Sequence, residues 1–82
     1  MKLDNKKMKK VSDITSKNFK EIKGELLLGN DGYFYIKLFL GDKEYTRKGY
    51  EKKAVRNIII QDYAWMSLEE LYEDIVLGNV EA

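Results

Sequence analysis

The chain has 82 residues, enough for one modest hydrophobic core and too few for two. It contains no cysteine and no histidine, which excludes disulfide staples and thiolate metal sites and removes the usual general base and the commonest metal ligand. A formal net charge of +1 conceals a segregated pattern: residues 1–23 hold eight lysines against three carboxylates, a net +5, whereas residues 61–82 hold six carboxylates and no cation.

No apolar run approaches the roughly 20 residues needed to span a bilayer. The start of the chain is too polar for a secretory signal core, so a soluble cytoplasmic protein without membrane contact is expected. Residues 1–20 read as a basic, largely flexible arm, because so Lys-rich a stretch buries little that offsets its own ordering entropy. Within it, Val11 to Phe19 is ambiguous, with Ser12, Thr15, Ser16 and Asn18 favouring turns or a short capped helix.

A single α+β domain is expected over 21–82, its first strand at about 22–28. The sequence Asn30-Asp31-Gly32 suits a three-residue hairpin loop with Gly32 in the left-handed region. That loop sets Leu28 opposite Phe34 and Leu26 opposite Ile36, with Glu25 facing Lys37 and Leu27 facing Tyr35 on the other side. The second strand, 33–40, is nearly all aromatic, β-branched or Leu. Its alternation gives one apolar face (Phe34, Ile36, Leu38, Leu40) and one mixed face (Tyr33, Tyr35, Lys37, Phe39). A type II′ turn at Gly41-Asp42 then returns the chain as a third strand at 43–48, pairing Phe39 with Glu44, Lys37 with Thr46 and Tyr35 with Lys48.

A sheet this small needs a helix on its apolar face. The first candidate comes from Glu51 to Met66, where Val55, Ile58, Ile59, Tyr63 and Met66 share a helical face. Asp62 within that stripe suggests an end near Gln61, giving a helix at about 51–62, and the Ile58-Ile59-Ile60 run makes a fourth strand the alternative. The second helix, 68–77, has Ser67 as N-cap with Glu70 completing a capping box, an apolar stripe of Leu68, Leu71, Tyr72, Ile75 and Val76, and Gly78 as terminator. The expected fold is therefore a three-stranded antiparallel β-meander packed against one or two C-terminal helices, with a flexible basic N-terminal arm.

Catalytic, metal and cofactor sites are not expected. Glu69, Glu70, Glu73 and Asp74 fall on what reads as a solvated helix surface, which supplies no environment to separate their pKa values. No loop carries oxygen ligands at calcium spacing, and no serine has a histidine to activate it. The mixed sheet face is more informative. Tyr33, Tyr35, Lys37, Thr46 and Lys48 combine stacking surfaces with phosphate-neutralising cations, as nucleic-acid binding requires. The competing expectation is that a terminal helix covers this face and makes Tyr33, Tyr35 and Phe39 a second small core.

The stretch GYFYIKLFLGDKEYTRKGYEKKA, with Gly32, Tyr33, Gly41, Lys43, Gly49, Tyr50 and Ala54 at its key positions, resembles the arm-type DNA-binding domains of tyrosine integrases over about residues 24–61. The resemblance implies a three-stranded sheet preceding a helix, with DNA contacts from Tyr35, Lys37, Thr46 and Lys48. Two functional expectations result. One is a non-enzymatic accessory protein of phage or mobile-element type that binds DNA or RNA through the sheet face. The other is a protein-interaction module, an inhibitor or adaptor, using Phe39, Glu69, Glu73 and Asp74. Either is expected as a monomer or a homodimer.

Overall fold

The computed structural model describes residues 8–56 and 59–78. Four strands, β1 (Lys9–Thr15), β2 (Lys23–Leu28), β3 (Tyr33–Leu40) and β4 (Lys43–Glu51), form one antiparallel sheet in the order β1-β2-β3-β4. Among the described residues a 3-10 turn (Lys52–Ala54) and a helix, α1 (Ile60–Val76), follow. The protein is thus α+β, with one helix on a four-stranded meander.

The two hairpins have the expected registers. Leu28 pairs with Phe34, Leu26 with Ile36, Glu25 with Lys37 and Leu27 with Tyr35; beyond the next turn Phe39 pairs with Glu44, Lys37 with Thr46 and Tyr35 with Lys48. Gly32 and Gly41 take the positive φ values, 85° and 62°, that these turns demand. The inner face therefore carries Leu26, Phe34, Ile36 and Leu38, which join Ile14, Ile22, Val55, Ala64, Leu68 and Leu71 in one core. Each large aliphatic or aromatic side chain so buried contributes on the order of 1.5–3 kcal/mol before ordering entropy is counted.

Three expectations are corrected. The basic stretch is not wholly a flexible arm, because its described part contains β1; Met1 to Lys7 lie outside the described residues. Pairing with β2 engages the backbone groups of Lys9–Thr15 that face it and Ile14 is buried, while a bulge between Lys10 and Ser12 accommodates Val11. β4 also runs to Glu51, three residues past the expected end, so residues 51–54 are strand and 3-10 turn rather than the start of a helix. Finally, the two expected helices do not divide at Ser67. It lies inside α1, because Ile60, Tyr63, Ala64, Leu68, Leu71 and Ile75 form a continuous stripe against the core on both sides of it. Asp62 sits in the first turn, where a carboxylate complements the helix dipole, and its Oδ1 accepts a 3.2 Å hydrogen bond from Trp65 Nε1. Gly78 ends the helix with φ 75°, as expected. Ile58 lies outside the described residues.

Candidate functional site

The outer sheet face, opposite α1, is built by strand alternation. β3 presents Tyr33, Tyr35, Lys37 and Phe39 there; the observed registers add Glu44, Thr46 and Lys48 from β4 and Lys23, Glu25 and Leu27 from β2. Among the described residues no helix covers this face, since α1 packs on the Phe34, Ile36 and Leu38 side. The side chains nonetheless satisfy one another. Lys48 lies 3.3 Å from Asp31 and its Nζ sits 4.1 Å from the Tyr33 ring centroid, while Lys37 lies 3.6 Å from Glu44. Lys10 is held by Asp13 at 2.7 Å and Glu25 at 3.5 Å.

Tyr35 is only 7% exposed, and its hydroxyl donates to Asp31 Oδ2 at 2.6 Å. This bond, reinforced by the Tyr33 N–H and Lys48, holds the Asp31 carboxyl below the usual carboxylate range and raises Tyr35 above the usual phenol value. Three lysines of this face are thus ion-paired: Lys10 with Asp13 and Glu25, Lys37 with Glu44, and Lys48 with Asp31. Of the five residues expected to contact nucleic acid, the fold gathers all on one face, but Tyr35 is buried and both lysines are ion-paired.

The acidic helix face is divided in its use. Glu69, expected in solvent, is 7% exposed. Its Oε2 accepts from Ser16 Oγ (2.6 Å) and from the N–H groups of Lys17 and Asn18 (3.0 Å each), and its Oε1 accepts from Asn18 Nδ2 (2.7 Å). Burial pushes this carboxyl's pKa up, and the converging donors of Ser16, Asn18 and Lys17 outweigh it, leaving a net downward shift. Ser16 Oγ in turn accepts from the Phe19 N–H at 2.8 Å, so one carboxylate fastens the whole turn after β1 onto α1. The sequence signal for this was a Ser-x-Asn turn and a carboxylate beside Leu68 in an apolar stripe. Asp74 pairs with Arg47 at 2.9 Å, both groups about one-third exposed. Glu73 is exposed, and Phe39 is half-buried on the outer face.

A site that sequence reasoning missed lies between β4 and α1. The helix packs chiefly over β3 and β1, leaving the inner side of β4 partly uncovered. The resulting groove, about 390 Å³, has Ile36 and Tyr63 at its base and Arg47, Tyr50, Met66 and Glu70 around it. Tyr50 and Met66 are 65% and 57% exposed. A bulge between the Tyr33 and Tyr35 pairings turns Tyr50 toward the helix, where its ring stacks on Tyr63 (centroids 5.4 Å apart, planes at 20°). The Tyr63 hydroxyl oxygen accepts from the Tyr50 N–H at 2.9 Å, and a β-carbon at Gly49 would collide with that hydroxyl, which explains the glycine. Burial raises the Tyr63 pKa.

The groove borders a free strand edge, because among the described residues β4 has a neighbour on one side only. The two-residue turn makes the flanking Leu40–Lys43 pair hydrogen-bonded; alternation then leaves the N–H and C=O of Glu44, Thr46 and Lys48 directed away from β3.

Among the described residues no group of three or more acidic side chains is placed to hold a metal ion, and no helix is long and apolar enough to cross a membrane. Compared with known proteins, the chain matches no family model, no curated protein and no solved structure.

Proposed function

We propose that the protein is a non-enzymatic interaction module that takes an extended segment of a protein partner along the free edge of β4, seating an apolar side chain of that segment in the groove beside α1. The observation that carries this reading is the nine-residue edge strand bordered by exposed Tyr50 and Met66. Strand addition supplies affinity through main-chain hydrogen bonds and specificity through pockets for side chains; the outward backbone groups of β4 and the groove beside it support this reading. Arg47 and Glu70 at the groove add charges of opposite sign that orient the incoming segment.

Selection of peptides from a random displayed library, followed by ¹H–¹⁵N titration, tests the reading. Selected peptides should shift the amides of Glu44, Thr46, Lys48 and Tyr50, and Tyr50→Ala or Met66→Glu should weaken them about tenfold or more, as for an anchor in a contact centre. Peptides that shift only the outer face around Tyr33 and Phe39 would contradict it.

The uncovered outer face favours a second reading, nucleic acid bound through Tyr33, Tyr35, Lys37, Thr46 and Lys48, as the integrase resemblance implies. The ion pairing of Lys37 and Lys48 places it second, because phosphate binding draws on cations not already held by carboxylates. Fluorescence anisotropy with single- and double-stranded DNA separates the two: salt-sensitive binding lost in K37E/K48E would favour the second reading, and no binding at low salt would remove it.

A further inference from the structure

We infer that the partner of the β4 edge is a second copy of this chain, paired antiparallel about Thr46 into a continuous eight-stranded sheet; this rests on the reading of β4 as the interaction edge. The argument is one of self-complementarity. A two-fold axis through Thr46 sets Glu44 opposite Lys48 of the second copy, and Lys48 opposite its Glu44, on the outer face. All these residues direct their backbone groups outward, so the same register makes Glu44, Thr46 and Lys48 hydrogen-bonded pairs across the axis.

On the helix side the register places Tyr45 opposite Arg47 of the second copy. Arg47 is held by Asp74 of its own chain at 2.9 Å, and its side chain is about one-third exposed beside the edge. Neighbouring registers lack this match. An axis at Tyr45 sets Lys43 against Arg47 of the other copy, one at Arg47 sets Arg47 against itself, and axes at Glu44 or Lys48 put identical charges face to face. Glu44 and Lys48 each have an ion partner within their own chain, Lys37 at 3.6 Å and Asp31 at 3.3 Å, yet their side chains are more than half exposed and retain free oxygens and donors.

The axis also brings the two copies' grooves to the same side of the joined sheet, so Tyr50 and Met66 of each copy flank the junction. The opposite edge offers no such template, since β1 is interrupted by a bulge between Lys10 and Ser12 and carries Lys9 and Lys10 on its exposed end.

Sedimentation velocity across a concentration series, with heteronuclear NMR of the same samples, tests the inference. The protein should dimerise, and E44K or K48E alone, which places like charges opposite each other twice per dimer, should raise the dissociation constant about tenfold or more. The double variant E44K/K48E restores opposite charges and should recover the dimer, which also shows that its fold is intact. Thr46→Pro, which removes one outward N–H without touching the bonds to β3, should likewise dissociate it. A monomer at millimolar concentration, or a dimer indifferent to both single reversals, overturns the inference. If selected peptides still bind the β4 edge of that monomer, the interaction-module reading survives without self-association; if neither partner engages the edge, both fail.

Discussion

The two flanks of α1 are finished differently. Toward β1, Glu69 gathers the donors of Ser16, Lys17 and Asn18, Phe19 packs on Tyr72 with ring centroids 4.8 Å apart, and Tyr72 donates to Glu21 at 3.1 Å. Toward β4, a stacked tyrosine pair and one Arg47–Asp74 ion pair border an open groove with exposed apolar side chains. One flank is closed by buried, satisfied polar chemistry. The other is left able to take something more, and the difference separates a structural seam from a candidate recognition surface.

The contrast is most easily broken at Glu69. Glu69→Ala leaves the buried Ser16 hydroxyl and the part-buried donors of Lys17 and Asn18 without this acceptor and should destabilise the fold by about 1–3 kcal/mol in urea or thermal unfolding. A variant as stable as wild type would mean that the turn is not held by this carboxylate.

The same residue sharpens the comparison through pH. Its folded pKa lies below the ordinary value of 4.5, so the contribution is complete above that value and is lost as pH falls through the depressed folded pKa. The stability difference between wild type and Glu69→Gln, measured from neutral to strongly acidic solution, should therefore shrink on acidification. A difference that grew would indicate an upward shift.

On the open flank the effects should be smaller. Tyr63→Phe removes the acceptor of the Tyr50 N–H, but that group is at the surface and water replaces the bond, so a loss of about 0.5–1 kcal/mol is expected, with broadened or shifted Tyr50 and Gly49 amide signals as the local readout. Arg47→Ala, cutting a part-exposed pair with Asp74, should change stability by about 0.5 kcal/mol or less. A large loss from either would show that the β4 flank is as structural as the other.

Where signals were local, the sequence read well. Asn30-Asp31-Gly32, Gly41-Asp42 and strict alternation from Tyr33 to Leu40 fix both hairpin registers without long-range information. β1 was hidden because Ile14 is its only buried side chain, and its strand form depends on pairing across the Ser16–Ile22 connection. Ser67 with Glu70 imitates a helix start, yet the apolar stripe continues through Ala64, a small residue that a scan for large side chains passes over. The ion pairing of the outer face was half legible: the foreseen register already placed Glu44 beside Lys37 on that face, but Asp31 in its loop reaches Lys48 only through the folded turn. The groove was not legible at all, since it arises from where α1 lies across the sheet.

The most direct measurement is residue-resolved amide hydrogen exchange along β4, dilute and then with partner, whether peptide or concentrated protein. The N–H groups of Glu44, Thr46 and Lys48 should exchange rapidly when dilute while Tyr45 and Arg47 are protected, and should become protected once the edge is engaged. Protection appearing instead on β1 or only across the outer face, with the Glu44, Thr46 and Lys48 amides unchanged, would contradict the assignment of β4 as the interaction edge.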